Sequence, residues 1–220
     1  MAAKYFAVGV FCLLSLSARS QYAPPAPGQT HLLSVEAGYD YSLVAVNLRY
    51  GFHFPRLRSA PFVELTQNTA LPGLNNTRVQ LGLRSWQGSA GRFILPWQIA
   101  LQGVRAVNPA ARFHGVGAVA ELNPGLLFNR FGAGLNLSYN PLFATHITHS
   151  ATFRRDVYTG VRDGWYRQSA TNLRAGAYLL YLPDRHKSLE LNLKAGYQTS
   201  GSLDDLLPPY YFLIGVNKRF

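Results

Sequence analysis

The chain has 220 residues, with 21 Lys+Arg against 10 Asp+Glu and a formal net charge of +11. It is 48% hydrophobic and 13% aromatic, which excludes an unfolded chain, yet only 14% charged, well below the ~25% of an ordinary soluble domain. A single cysteine, Cys12, excludes a disulfide framework, and the length points to one domain.

Lys4 is followed by an apolar run from Tyr5 to Leu16 and then by the polar stretch Ser17-Ala18-Arg19-Ser20. A positive start, a short apolar middle and small residues at Ala18 and Ser20 predict a secretory signal peptide over 1–20, cut before Gln21. The run of 12 residues is too short for the ~20 that a spanning helix needs. Cleavage removes Lys4, Arg19, Cys12 and the only methionine, Met1. A proline-rich spacer over 21–30 follows, containing Pro24, Pro25 and Pro27.

From residue 31 onward the dominant signal is a period of two. Val44, Val46, Leu48, Tyr50, Phe52 and Phe54 alternate with Ala45, Asn47, Arg49, Gly51 and His53. Leu173, Ala175, Ala177, Leu179 and Tyr181 alternate with Asn172, Arg174, Gly176, Tyr178 and Leu180. Leu189, Leu191, Leu193, Ala195 and Tyr197 alternate with Glu190, Asn192, Lys194, Gly196 and Gln198. Successive side chains of a strand point to opposite faces, so each segment has one apolar and one polar face. About ten strands are predicted, near 31–39, 43–54, 61–69, 77–86, 92–102, 112–122, 126–140, 172–182, 189–199 and 210–220. The region 31–54 can also be drawn as one long strand around Asp40, and eight strands are the alternative count. Most have the ~9–11 residues of a tilted strand crossing a bilayer, longer than the ~5–6 of soluble sheets.

A soluble barrel would turn the apolar face inward. Three features favour the inverse. Gly38, Gly51, Gly82, Gly132, Gly134, Gly176, Gly196 and Gly215 share the polar register, where glycine makes room for bulky neighbours in a narrow interior. The apolar face carries large Leu, Val, Phe and Tyr with almost no charge, as lipid contact demands. Short connections (55–60, 87–91, 123–125, 183–188) interleave with mostly longer ones (70–76, 103–111, 141–171, 200–209), the asymmetry of barrels with short turns at one end.

The last strand, with Tyr210, Phe212, Ile214 and Val216 outward and Phe220 at its end, resembles the C-terminal signature of bacterial outer-membrane β-barrel proteins. Lys218 interrupts that pattern near the boundary, where a lysine can snorkel. The resemblance implies an all-β, up-and-down transmembrane barrel over 31–220 with both termini on the periplasmic side. It also implies partners in outer-membrane lipid, lipopolysaccharide included, and in the insertion machinery that reads the C-terminal strand. It selects no subfamily.

In that architecture the inward register gathers Glu36, Arg49, Glu64, Arg78, Arg84, Arg92, Glu121, Arg130, Arg174, Glu190, Lys194 and Arg219, with Asp40 beside them. Such groups fill a narrow lumen as ion-pair layers or, with arginine in excess, line a narrow anion-favouring water path. Eight outward aromatics sort into two belts: Tyr39, Tyr139, Tyr197 and Tyr210 at the outer boundary, and Phe54, Phe93, Tyr181 and Phe220 at the periplasmic one.

Candidate chemistry is sparse. His146, His149 and Ser150 suggest the Ser–His pair of a lipid hydrolase, with Asp156 the near acid, or a two-histidine metal site without supporting ligands. Solvated loop residues account for them better, so neither catalytic residues nor a metal or other cofactor is expected. The segment 141–171 also holds Arg154, Arg155, Arg162 and Arg167 with Tyr158, Trp165 and Tyr166. Export argues against nucleic acid, and lipopolysaccharide phosphates are the nearest anions. The N-x-S/T matches at Asn75 and at Asn136 read as chance, and no phosphate-loop or dinucleotide fingerprint is present. Two function classes remain: a non-enzymatic barrel with a structural, interaction or narrow-pore role, and a membrane-embedded lipid hydrolase or acyltransferase.

Overall fold

The structure, a computed structural model, describes residues 28–40, 43–54, 59–69, 75–88, 92–158, 160–184, 186, 188–199 and 209–220. The expected signal peptide and most of the proline-rich spacer lie outside the described residues. The strands are β1 (His31–Asp40), β2 (Leu43–Phe52), β3 (Ser59–Asn68), β4 (Asn75–Gly88), β5 (Phe93–Val107), β6 (Ala111–Leu122), β7 (Gly125–Phe128), β8 (Phe131–His149), β9 (Gly164–Tyr181), β10 (Leu189–Thr199) and β11 (Tyr210–Arg219). Among the described residues one helix, α1 (Ala151–Asp156), joins β8 to β9.

Every neighbouring pair is antiparallel, and β1 pairs with β11, so the first and last strands close the wall. The strands β6 and β7 both lie between β5 and β8 and are two halves of one wall strand. The result is a closed, up-and-down barrel of ten strands, as the alternation predicted.

The register fixes the barrel's shape. A walk along paired residues from Phe131 passes Tyr181, Leu191, Val216, Val35, Leu48, Leu65, Val79, Gly103 and Val116. It returns to the starting strand at Ala144, across a bulge between Leu142 and Ala144. With ordinary strand rise and spacing, that displacement tilts the strands by about 40° and sets the backbones about 20 Å apart across the lumen. Ten-residue β1 therefore spans about 25 Å along the axis, while nineteen-residue β8 spans about 45 Å. The wall is low around β1–β3 and tall around β5, β6, β8 and β9.

Its faces are inverted relative to a soluble barrel. Along β11 the inward Tyr211, Leu213, Asn217 and Arg219 are buried, whereas the outward Tyr210, Phe212, Ile214 and Val216 are 68%, 49%, 58% and 44% exposed. The same alternation leaves Leu48, Leu81, Leu101, Leu135 and Leu179 exposed on other strands.

Three expected connections prove to be strand. The break at Asn123-Pro124 is not a turn. Pro124 has no N–H to give the ladder, but Asn123 N–H reaches Pro96 O (2.8 Å) and Leu135 N–H reaches Pro124 O (2.8 Å), and the flanking strands carry the wall through. The turn falls later, at Asn129-Arg130, with Asn129 at φ 54°. The expected loop 103–111 shrinks to three residues, closed by Asn108 Oδ1 accepting from Ala110 N–H (3.0 Å) and Ala111 N–H (2.8 Å). The expected loop 141–171 is mostly paired β8 and β9 beyond the bulge, tipped by α1. Long-range pairing overrides the local turn chemistry of Asn140-Pro141, whereas Asn108-Pro109 keeps its turn and only the residues on either side of it join the ladder.

Candidate functional site: the charged lumen and the projecting hairpin

The alternation of each strand delivers its polar face to one interior. Among the described residues five carboxylates, Glu36, Asp40, Glu64, Glu121 and Glu190, meet six cations, Arg49, Arg78, Arg84, Arg174, Lys194 and Arg219, so this interior set is close to neutral. In the middle layer Lys194 Nζ lies 3.2 Å from Glu36 Oε1 and 3.5 Å from Glu121 Oε1. Glu121 also accepts from Gln98 Nε2 (2.9 Å), Asn123 Nδ2 (3.0 Å) and Asn136 Nδ2 (2.9 Å). Arg84 Nε donates to Gln98 Oε1 at 3.2 Å, and Arg49 pairs with Glu64. Towards the end opposite the termini, Arg78 Nη2 reaches Asp40 Oδ2 at 3.2 Å and the Arg174 guanidinium sits 5.6 Å over the Tyr211 ring. At the end carrying the termini, Glu190 accepts from Arg219 Nη2 (2.6 Å) and Asn217 Nδ2 (2.7 Å).

Below the ionic layer an apolar cluster of Ile94, Tyr178, Leu180 and Leu182 occupies part of the cross-section. Asn47, Gln80 and Asn192 each bury a polar atom that no described group satisfies, a setting for lumen water. Two expected members of the network stand outside it. Arg92 is exposed just before β5, its guanidinium 5.0 Å over the Phe128 ring, and Arg130 lies in the β7–β8 turn, donating to Pro183 O at 3.4 Å. Moving the turn from 123–125 to 129–130 puts Arg130 at the barrel's end, where Arg92 also lies because β5 begins one residue later, at Phe93.

Glycine and tyrosine build the wall together. Gly176 faces Gly196 across β9 and β10, and Gly125 faces Gly134 across β7 and β8. Tyr211 lies against the first pair and Tyr178 against the second, where added side chains would collide with the rings. These rings restore the packing that paired glycines forfeit.

Around the outside, each residue along a tilted strand adds about 2.5 Å of height and each step from β8 towards β9 and β10 about 3 Å. That register sets Tyr39, Tyr139, Tyr197 and Tyr210 at one level, and Phe54, Phe93, Tyr181 and Phe220 at another about 20 Å away. Six of the eight are exposed, and Tyr39 and Tyr181 are half-buried. Lys218 extends to the end carrying the termini, where its Nζ lies 3.2 Å from Ser188 Oγ.

The projecting hairpin separates the expected histidine pair. His146 and His149 stand on opposite faces of β8, His146 in an edge contact with Trp165 (5.2 Å) and His149 stacked on Phe153 (5.6 Å). Asp156 binds Arg155, and the acid that meets His149 is Asp163, 3.0 Å from its Nδ1. Asp163 also accepts from the His149 backbone N–H (2.9 Å) and from Arg154. The His149 backbone N–H, its ring and then Arg154 hold that carboxyl below the usual aspartate range. Ser150 Oγ accepts from Phe153 N–H (3.1 Å) as the N-cap of α1. Nothing in the spacing of His149 and Asp163 announces their contact, which the hairpin alone creates. Among the described residues no group of three His, Cys, Asp or Glu is placed to hold a metal ion. No protein-family model matches the chain, and no curated protein matches it significantly.

Proposed function

We propose that this chain is a small outer-membrane barrel with a structural or interaction role, closed to bulk solute, that displays the β8–β9 hairpin on the far side from its termini. The observation that carries this reading is the inversion of the faces: Leu101, Leu135 and Ile214 on the outer wall are 70%, 56% and 58% exposed while Glu190 and Lys194 are buried inside. Lipid accepts such a wall, and water does not. The near neutrality of the lumen and the pairing of Glu36, Glu121, Lys194, Glu190 and Arg219 argue for a plug rather than an anion path. Planar bilayers test this: the reconstituted protein should add no stable conductance steps. Regular anion-selective steps would replace the plug with a pore.

The contact between His149 and Asp163 favours a second reading, a lipid hydrolase built on Ser150. Against it, the Ser150 hydroxyl is engaged as a helix cap. Lipid A extracted from cells expressing the wild type or His149→Ala should be identical by mass spectrometry. A modification present only with the wild type would establish the enzyme.

A further inference from the structure

On the tall side, one row of paired residues crosses four neighbouring strands. Arg105 on β5 pairs with His114 on β6, His114 with His146 on β8, and His146 with Trp165 on β9. Cross-strand partners share a face, and Arg105, His114 and Trp165 are exposed, so the row looks outward. Arg112 and Arg167 flank it on the same face, also exposed. Among the described residues no carboxylate pairs with Arg105, Arg112 or Arg167, whereas Arg154 and Arg155 nearby are engaged by Asp163 and Asp156. By the register, the row stands about 6–15 Å beyond the level of Tyr139 and Tyr197.

Directly below on the same strands runs an apolar groove of about 700 Å³, lined by Ile99, Ala120, Tyr139, Leu173, Ala175 and Tyr197 among others. The small side chains of Ala120 and Ala175 form its floor between larger neighbours. Between groove and row sits Gly103, where an added side chain would meet nothing within 4 Å. The wall is thus open at Gly103, just below Arg105.

We infer that this face holds one phosphorylated, acylated glycolipid of the outer leaflet. Its acyl chains lie in the groove, its phosphates on Arg105, Arg112 and Arg167, and a sugar ring against Trp165. The three surfaces differ in chemistry, and this occupant supplies the complement of each: apolar chains for the groove, an anion for the unpaired guanidinium groups, and a flat, polar-edged ring for the indole. The inference rests on the outer-membrane reading and names the lipid that the tall face recognises.

Native mass spectrometry of the folded protein released from a zwitterionic detergent, titrated with diphosphoryl lipid A, tests it. One lipid per chain is expected. The double variant Arg105→Ala/Arg167→Ala should weaken binding about tenfold by removing two charge-assisted contacts, and Gly103→Phe should weaken it by filling the open space below Arg105 while leaving heat-shifted gel mobility unchanged. Phosphatidylglycerol, with chains and a phosphate but no sugar, should bind about tenfold more weakly than lipid A. Equal binding of the two lipids, affinity untouched by both variants, or a two-chain particle that excludes lipid would each overturn the inference. A barrel that inserts into vesicles yet ignores lipid A sinks this inference alone, whereas failure to insert sinks the reading beneath it.

Discussion

Glu121 draws together four strands' worth of side chains, accepting from Gln98, Asn123 and Asn136 and lying within reach of Lys194. Removing one partner from such a buried cluster leaves the others uncompensated, so Glu121→Ala should cost about 3–5 kcal/mol. Exposed Arg92→Ala should stay within about 0.5 kcal/mol. Denaturant unfolding of the refolded protein, followed by gel mobility, measures both, and equal small losses would mean that the lumen is wet enough to replace the partners. Asp184, in the β9–β10 turn, offers a pH test. Burial pushes its carboxyl up, but the Leu189 N–H (2.9 Å) and the Ser188 hydroxyl (2.7 Å) and N–H (2.8 Å) outweigh that and hold it at about 2. Its stabilisation is complete above the usual carboxyl range of ~4 and disappears as pH falls towards 2. The wild type should therefore outlast Asp184→Asn at pH 7, with the gap closing by about pH 2; a gap that widens in acid would contradict the assignment. At this scale parity alone made Glu36, Arg49, Glu190 and Lys194 legible as interior residues. Arg130 stands outside that set because its position depends on where a turn falls, Arg92 because β5 starts only at Phe93, and Asp163 was invisible as the partner of His149 because only the folded hairpin brings them together.

The paired glycines show how strands of this wall are held. A side chain at Gly176 would meet the Tyr211 hydroxyl and the backbone of Ala195 and Gly196, and that backbone cannot yield without moving a neighbouring strand. Gly176→Val should leave no folded, heat-shifted band, whereas Tyr211→Phe keeps the ring over the glycines and loses only the bond from its hydroxyl to Asn136 Oδ1 (2.8 Å), about 1 kcal/mol. A fully folded Gly176→Val would show that the close approach is dispensable. The clustering of glycine in the polar register announced that bulky groups pack there, but not that Tyr178 and Tyr211 are the ones, since ring and glycine lie on different strands. The same limit explains the connections. Asn123-Pro124 and Asn140-Pro141 carry turn chemistry, yet partners on β5, β8 and β9 extend the ladder past both, while the turn at Asn108-Pro109 forms but is shortened by pairing on either side.

For the whole molecule, ten tilted strands of period-two polarity make a barrel whose outside is apolar and whose inside is charged. That architecture was readable because one face of every strand has to match one environment over its full length. The unequal wall was not readable, because its height is set by how far β8 and β9 continue to pair beyond their bulge. The outer-membrane reading requires the outer wall to face lipid. Spin labels placed one at a time through Leu101→Cys, Leu135→Cys, Leu179→Cys and Ile214→Cys, in protein refolded into lipid vesicles, measure that environment by collision with oxygen or with a water-soluble nickel complex. The account predicts high oxygen and low nickel accessibility at all four, with the reverse preference for a label on exposed Arg105→Cys. Nickel accessibility at the four wall positions equal to that at Arg105→Cys would contradict it.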